Sequence, residues 1–219
     1  MLAALDKAGV SVVICTHNGK ERIKATLKHL ANQKNIDFNW EVLIIDNNSN
    51  DNTASFAEAY WQTLNPPCQI KIILESRPGT MYARTSGIIN AGYRYLVFCD
   101  DDNWLIENFI KTAHIAIKDN SGIAAVGGMG ILAFEPDFKT PVWLNKYADY
   151  FGSGPQGPAD GDTTENKGCL YTAGAILDRV WLSKLYDAGF KSYLKGRDSK
   201  SLVAGEDTEL TYALKLIGG

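Results

Sequence analysis

Short apolar runs alternate with amphipathic stretches along the first two thirds of the chain. Runs of strand length occupy residues 11–15, 41–45, 69–74, 95–99 and 122–126. Between them, apolar residues recur at helical spacing, as Ile23, Leu27 and Leu30 do on one face of a predicted helix. Strands that alternate with helices are typical of βαβ units. The pattern predicts an α/β fold with a mainly parallel sheet and helices on both faces.

Capping signals locate the first predicted helices. Asn18 and Glu21 have the spacing of a capping box, so the first helix is expected to begin near Lys20. The second carries Phe56 and Trp61, and the third covers residues 80–91. The fourth carries the apolar residues Ile106, Phe109, Ile110 and Ala113.

The regular alternation stops near Leu132. Residues 152–168 hold five glycines, two prolines and two aspartates, a composition that predicts a mobile, unpacked loop. Asp178 is expected to cap a helix that continues through Tyr186. A last helix opens at Glu206 and is still running at Gly219, so the chain is expected to be truncated there.

Composition and charge narrow the class of protein. The 219 residues include 22 lysines and arginines against 25 acidic residues, a net charge of −3, so no nucleic-acid partner is expected. The four cysteines lack the CxxC spacings of zinc and redox sites. The chain contains no apolar run of membrane-spanning length and no secretory leader pattern. These features predict a single cytoplasmic domain over residues 1–219.

Polar residues stand directly after three of the predicted strands. Thr16, His17 and Asn18 follow the first strand, Asp46 and Asn47 the second, and Asp100, Asp101 and Asp102 the fourth. The carboxyl ends of parallel strands meet at one edge of a sheet, and open α/β sheets bind their ligands there. This edge is therefore the candidate site.

Three consecutive aspartates place like charges close together, which raises their pKa values and costs stability unless a cation offsets the repulsion. Strand alternation sends Asp100 and Asp102 to one side and Asp101 to the other. The alternative is a solvated acidic turn that caps the following helix.

The other candidates have structural alternatives too. Residues 46–53 are also compatible with an Asx-rich turn that enters a helix. Arg84 is compatible with a solvated helix residue, and Glu206 and Asp207 are compatible with a helix N-cap pair. The coincidence of several candidates at one sheet edge favours a functional site.

Five segments, taken in order, resemble the inverting glycosyltransferases of family 2. They are SVVICTHN at 11–18, LIIDNNSNDNT at 43–53, RTSGI at 84–88, DDD at 100–102 and GED at 205–207. The resemblance implies the GT-A fold, with a Rossmann-like sheet. It also implies a nucleotide-sugar-binding half, residues 1–130, and an acceptor-binding half, residues 131–219.

The resemblance also implies roles for particular residues. Thr16 and His17, with Asn18, match the loop that lines the nucleobase; Asp46 and Asn47 match the turn that binds base and ribose; Arg84 matches a basic residue of the donor pocket. Asp100 and Asp102 match the outer positions of the DxD motif, with Asp102 as the direct ligand of Mg²⁺ or Mn²⁺, and Asp101 is expected to touch the ribose or the sugar. Asp207 matches the catalytic base, aided by Glu206.

The implied donor is a nucleotide-diphospho-sugar, with a UDP-sugar as the first expectation. Asn47 stands where many members carry aspartate, which weakens the case for uridine and leaves dTDP- and GDP-sugars open. No histidine follows Asp207 to complete the metal site, as one often does in the family.

The implied acceptor is a saccharide or a lipid-linked glycan, which would bring the protein to the inner face of the membrane as a peripheral partner. The candidate aromatic contacts are Trp104, Trp143, Tyr147, Tyr150 and Phe151.

Other nucleotide-binding enzymes lack support in the motifs. GxxxxGK[ST] is absent, and GxGxxG spacing occurs only at Gly152, Gly154 and Gly157, with no strand before it. The segment after the first strand lacks the basic, glycine-rich loop of a sugar-nucleotide pyrophosphorylase. A non-catalytic nucleotide-sugar-binding relative, or a truncated fragment, is the alternative to an enzyme.

Overall fold

The computed structural model describes residues 7–120, 122–134, 137–197 and 203–219. Six strands form its sheet: β1 (Val10–Thr16), β2 (Trp40–Asp46), β3 (Gln69–Leu74), β4 (Tyr95–Asp100), β5 (Ala125–Val126) and β6 (Ala175–Asp178). Their order in the sheet is β3-β2-β1-β4-β6-β5. The first four strands run parallel, and β6 pairs antiparallel with both β4 and β5. The prediction of a mainly parallel sheet is confirmed.

Seven α-helices surround the sheet in the described ranges. They are α1 (Ile23–Ala31), α2 (Thr53–Thr63), α3 (Thr80–Asn90), α4 (Phe109–Lys118), α5 (Leu144–Tyr147), α6 (Arg179–Asp187) and α7 (Glu206–Leu216). A 3₁₀ turn, Ala148–Phe151, follows α5 directly. None of the described helices has the length and apolar character needed to cross a membrane.

Two hydrophobic cores lie on opposite faces of the sheet. One packs α1, α2 and α4 through residues such as Leu27, Trp61 and Ile110. The other packs α3, α6 and α7 through residues such as Ile88 and Leu210. Every residue of β2 is buried, as expected of a central strand covered on both faces. The prediction of helices on both faces is confirmed.

Several predicted boundaries are wrong. The capping box does not form: α1 begins at Ile23 after Arg22, without a side-chain cap, and the Asn18 Oδ1 accepts instead from the Asn50 backbone N–H at 2.8 Å. The fourth helix begins at Phe109, beyond Ile106. The last helix ends at Leu216, before Gly219.

The last two strands of the sheet also differ from the prediction. The fifth strand is confined to Ala125–Val126, and β6 was missed because four apolar and acidic residues run directly into a helix. The predicted helix cap is confirmed, since Asp178 accepts a hydrogen bond from the Val180 backbone N–H at 2.9 Å.

Helix α3 lies unusually close to β1 at Gly87. A Cβ built on Gly87 would lie 2.4 Å from the Val13 Cγ1, a distance that packed carbon atoms do not reach. The glycine in the RTSGI segment is therefore required by packing. Close packing here also fixes Arg84, one turn earlier on α3, against the ends of the strands.

Replacing Gly87 by alanine should destabilise the fold. Overpacking costs about 1–3 kcal/mol, and the better helix propensity of alanine returns up to about 1 kcal/mol. We expect a net loss of about 1–2 kcal/mol in the free energy of unfolding, measured by urea titration with an unchanged m-value. Gly122→Ala is the control, because its Cβ would meet only Asn120 Oδ1, at 3.4 Å. Wild-type stability in the Gly87→Ala variant would contradict the close approach.

Candidate functional site

The carboxyl ends of three neighbouring strands stand level with one another. In the sheet register Thr16 pairs with Asp46, and Cys15 pairs with Asp100. The residues that follow β1, β2 and β4 therefore lie together at one edge, where open α/β sheets bind ligands. The structure thus brings together the candidate residues of the first half.

The loops after β1 and β2 are joined by hydrogen bonds. The Asn18 backbone N–H donates to Ser49 Oγ at 2.9 Å, and the Ser49 backbone N–H donates to Asp46 Oδ1 at 2.9 Å. The exposed ring of His17 is held by a contact of 2.8 Å between its Nδ1 and the Asn47 carbonyl. The carbonyl can only accept, so this contact places the proton on Nδ1. These bonds hold the imidazole and the Asp46 carboxylate in a fixed relation.

Asn47 has a different environment from the one predicted. Its Nδ2 donates to the carbonyls of Glu75 and Arg77 at 3.0 and 2.7 Å, and its Oδ1 accepts from the Gly79 backbone N–H at 2.9 Å. Both ends of the amide thus hold the turn after β3: both N–H groups are used, and Oδ1 keeps one acceptor position. The amide is required because a carboxylate cannot donate to the two carbonyls. The turn is therefore one reason for asparagine at this position, and the predicted contact with base or ribose stays a prediction.

Asp100 and Asp101 lie on opposite sides of the sheet, Asp100 near Arg84 and Asp101 near Arg22. The Asp101 carboxylate is buried and accepts from Thr16 Oγ1 at 2.6 Å and from Arg22 Nε at 2.9 Å. These bonds turn it toward α1, so the expected contact of Asp101 with ribose or sugar does not fit its position. Asp100 lies on the opposite side, and Asp102 is exposed.

Asp100 lies in an environment that disfavours its charged form. Burial raises the pKa of Asp100 to about 6, and neighbouring carboxylates add to the shift while Arg84 opposes it. A nearby cation would reverse this effect.

Among the described residues, no three histidine, cysteine or acidic side chains are grouped closely enough to hold a metal by themselves. Mg²⁺ commonly binds through one or two carboxylates and the phosphates of its substrate, so Asp100 and Asp102 fit a donor-bound divalent ion.

Arg84 is buried where the two halves of the chain meet. Its guanidinium lies 5.4 Å from the centre of the Phe98 ring and forms an ion pair with Asp207. Glu206 Oε1 is 3.6 Å from the same Nη1. Arg84 was predicted to lie in the donor pocket, and the structure places it beside the carboxylates at the start of α7. Its charge is therefore largely offset by protein carboxylates.

Asp207 is held by Thr172 as well as by Arg84. The Thr172 backbone N–H donates to Asp207 Oδ2 at 3.0 Å, and the Thr172 hydroxyl donates to Oδ1 at 2.9 Å. Thr172 is fully buried, while the Asp207 side chain is 24% exposed. Sequence reasoning missed Thr172, because it lies in a segment without periodicity or a motif. The Asp207 carboxylate is thus held on both oxygens while part of its side chain stays in contact with solvent.

Residues 152–168 form a loop without helix or strand, as predicted, and Gln156 is its one buried residue, but the loop is fastened to its surroundings at several points. The Gln156 side chain is buried and forms two hydrogen bonds with the Tyr171 backbone, both at 3.0 Å. Lys215 Nζ donates to the Thr164 carbonyl at 2.6 Å. Side-chain to backbone bonds outside the loop thus replace the apolar contacts that its sequence lacks.

The predicted acceptor aromatics fall into two groups. Trp143, Tyr147, Tyr150 and Phe151 are 42–86% exposed on α5 and the following turn. Trp104 is 44% exposed and stacks on His29 of α1, with ring centres 5.7 Å apart. Trp104 therefore lies on the α1 side of the sheet, as Asp101 does.

Comparison with known proteins decides the family. The model for glycosyl transferase family 2 matches residues 11–184, which is most of the chain. The chain belongs to glycosyltransferase family 2. It is 31% identical over 118 residues to the cholesterol galactosyltransferase of Borreliella burgdorferi, covering 53% of this chain and 32% of that protein.

A second relative of this family 2 glycosyltransferase is the poly(ribitol-phosphate) beta-N-acetylglucosaminyltransferase TarP of Staphylococcus aureus. Identity is 26% over 124 residues, covering 56% of this chain and 37% of TarP. The chain thus spans about a third of the length of these two relatives.

Solved structures confirm the expected GT-A fold. The mannosyltransferase PcManGT from Pyrobaculum calidifontis, in complex with GDP-Man and Mn²⁺, superposes with a TM-score of 0.67 at 18% identity, covering 97% of this chain and 53% of that one. S. aureus TarS 1-349 in complex with UDP gives a TM-score of 0.61 at 19% identity, covering 92% and 53%.

Replacing Asn47 by aspartate should destabilise this glycosyltransferase. The carboxylate would face the buried Glu75 carbonyl and the partly buried Arg77 carbonyl, and a buried acceptor without a donor costs about 1–3 kcal/mol. We expect a loss of that size in the free energy of unfolding, measured by urea titration. Asn50→Asp makes the same chemical change at an exposed side chain and should be nearly neutral. Equal stabilities of the two variants would show that the Asn47 amide does not hold the turn.

Proposed function

We propose that the protein is an inverting glycosyltransferase that moves a sugar from a nucleotide-diphospho-sugar to an acceptor hydroxyl, assisted by Mg²⁺ or Mn²⁺. The observation that carries the proposal is the meeting of Asp100, at the end of β4, with Glu206 and Asp207, at the start of α7, around the buried Arg84. Asp102 follows Asp100 by two residues and is exposed. A metal-binding pair and a base on separate elements suit a single displacement. Such a reaction needs the base on the face of the sugar opposite the leaving group.

Asp207 is the proposed base. An ionised carboxylate offers about four acceptor positions, and Arg84 with the N–H and hydroxyl of Thr172 account for three contacts. The open position is available to an acceptor hydroxyl. As that hydroxyl attacks the anomeric carbon, its proton passes to Asp207 and the diphosphate leaves from the opposite side. Arg84 and Thr172 orient the carboxylate, and Glu206 shares the arginine.

The leaving group is a diphosphate that gains negative charge as the bond to the sugar breaks. A divalent ion held by Asp102 and Asp100 would supply Lewis-acid stabilisation of that charge. Asp102 is exposed at the edge of the sheet and is the proposed direct ligand. Asp100 lies deeper and is the proposed second ligand.

The donor is proposed to bind across the loops after β1 and β2. The exposed His17 ring is a surface on which a base can stack, and the Thr16 carbonyl, Asn18 and Asp46 hold that loop pair together. Solved relatives of the same fold were crystallised with UDP, with UDP-GlcNAc and with GDP-Man. A UDP-sugar is the first candidate, and GDP- and dTDP-sugars are the alternatives.

The acceptor is proposed to bind the half formed by residues 131–219, while residues 1–130 bind the donor. Trp143, Tyr147, Tyr150 and Phe151 are exposed in the second half and offer ring faces on which a saccharide can stack. A saccharide or lipid-linked glycan is the proposed acceptor class. With a lipid-linked acceptor, the protein would work in the cytoplasm at the membrane surface.

The proposed function predicts that the protein binds one class of donor. A ligand that binds only the native state raises the melting temperature, so we expect one of UDP-, dTDP-, GDP- and CMP-sugars to stabilise the protein in Mn²⁺ and much less in EDTA. Thermal shift of the full chain measures this. Absence of a shift with all four nucleotides would contradict a donor site, and an equal shift in EDTA would contradict metal assistance.

Replacement of Asp207 distinguishes an enzyme from a non-catalytic protein that only binds a nucleotide-sugar. Asp207→Asn should lower kcat by about 100-fold or more, because general base catalysis contributes about 10²–10⁴-fold. The change also removes one charged partner of the buried Arg84 and leaves Glu206 as its neighbouring carboxylate, so urea titration must first show that the variant is folded. In the folded variant the affinity for the donor should stay near the wild-type value. Release of nucleoside diphosphate, measured with saccharide and lipid-linked acceptors, gives the rate.

The control for that prediction is Asp119→Asn, the same change at an exposed residue at the end of α4. It should leave kcat unchanged. A wild-type kcat in Asp207→Asn would remove the assignment of Asp207 as base. A wild-type protein that binds the donor but transfers to no acceptor would support the binder instead.

A further inference from the structure

Asp101 and Arg22 form an ion pair between the loop after β4 and the start of α1. Arg22 Nε donates to Asp101 Oδ1 at 2.9 Å, and Nη2 donates to Oδ2 at 2.8 Å. The same Oδ2 accepts from the buried Thr16 hydroxyl at 2.6 Å. Paired contacts of this kind fix the orientation of both groups as well as their distance. The Asp101 carboxylate is thus held by both β1 and α1.

The Arg22 guanidinium also reaches the loop predicted to line the nucleobase. Nη2 donates to the His17 carbonyl at 3.2 Å, and Nη1 donates to the Asn18 carbonyl at 3.3 Å. One side chain therefore contacts the backbone of the base loop and the middle residue of the aspartate triplet. A nucleoside diphosphate bound with its metal would contact both segments. The distance between the segments therefore has to fit the length of that ligand.

Gly19 shows how tightly the carboxylate is packed. A Cβ at Gly19 would lie 2.1 Å from Asp101 Oδ2 and 2.2 Å from Thr16 Oγ1. The carboxylate therefore rests directly on the backbone of the base loop, and any larger residue at position 19 would push the two apart. This is a third contact between the same segments, and it does not depend on charge.

We propose that Arg22, Asp101 and Gly19 form a positioning clamp that sets the distance between the base loop and the flanking carboxylates Asp100 and Asp102. The clamp would couple nucleotide binding to metal binding, because each ligand would find its partner residues already in place. The inference rests on the proposed function. It assigns Asp101 to positioning instead of contact with the ribose or sugar.

A simpler explanation of these contacts is that they only hold the loop after β4 against α1. Other contacts of this loop distinguish that explanation from the clamp. That loop is also fastened to α1 by Thr26 Oγ1, which donates to the Asp101 carbonyl at 2.9 Å, and by Gln33 Nε2, which donates to the Ile106 carbonyl at 2.7 Å. These bonds do not involve the Asp101 carboxylate. Variants of the clamp should therefore keep the loop docked and the protein folded.

Lys34 and Glu107 offer a matched control. Lys34 Nζ and Glu107 Oε2 form an exposed ion pair of 2.7 Å between the residues just after α1 and the same β4–α4 loop. Within the described residues, the side chains of this pair bind each other and form no hydrogen bond to the base loop. Lys34→Ala thus removes an ion pair between the same two regions without touching the clamp.

The experiment is calorimetric titration of the folded chain with UDP, GDP and dTDP, each in Mn²⁺ and in EDTA. The measured quantities are the dissociation constant and the ratio of its values in EDTA and in Mn²⁺, which reports the coupling between nucleotide and metal. Asp101→Asn, Arg22→Gln and Gly19→Ala should each weaken binding in Mn²⁺ by about tenfold or more, because small displacements of a binding group can cost up to about 100-fold.

The coupling ratio distinguishes positioning from lost stability. It should fall in all three variants, stay at the wild-type value in Lys34→Ala, and be partly restored in Arg22→Lys, which keeps the ion pair with fewer donors. Urea titration confirms that each variant is folded at the temperature of the assay.

Wild-type affinity and coupling in the three folded variants would overturn the clamp and leave the proposed function standing. An equal loss in Lys34→Ala would also overturn it, since general docking would then explain the effect. A wild-type protein that binds none of the three nucleotides would overturn the proposed function and the clamp's role with it.

Discussion

The buried ion pair between Arg84 and Asp207 connects the two halves of the chain at the site. A buried charge is tolerated only when it is paired and hydrogen-bonded. Arg84 is 5% exposed and Asp207, 123 residues away in the sequence, supplies the partner. The start of α7 is thereby held against α3, and the proposed base stands beside the carboxyl end of β4. Without the guanidinium, Asp100, Glu206 and Asp207 would repel one another.

The alternation of β4 divides the chemistry of the aspartate triplet between two faces. Phe98 packs in the core under α3, α6 and α7, and Cys99 packs in the core under α1, α2 and α4. The same alternation continues into the triplet, so that Asp100 faces Arg84 and Asp101 faces Arg22. One strand end therefore carries both a proposed ligand-binding side and a scaffold side. Its rigidity follows from the two cores, because neither face can move without disturbing close-packed residues.

Asparagine and aspartate have different tasks at this edge. Asp46 accepts from the backbone of its own turn, whereas Asn47 must donate to two carbonyls and accept from one N–H. An amide does both, and a carboxylate can only accept. The hydrogen bonds of each turn thus explain why aspartate stands at position 46 and asparagine at position 47.

The sequence by itself determined the order of the elements from β1 to β5, the two-sided burial of the sheet and the position of the candidate residues at the strand ends. These depend on local periodicity and on the rule that parallel strands share one carboxyl edge. The sequence also located Asp207 through a motif.

Tertiary structure alone decided that Arg84 pairs with Asp207, that Thr172 holds the same carboxylate, and that Arg22 reaches Asp101. Each of these contacts joins residues at least 35 positions apart. Local patterns report which face of a strand or helix is apolar. Only the packing of distant elements determines which polar groups meet, because a buried charge or amide takes whichever partner the assembled chain brings within hydrogen-bonding distance.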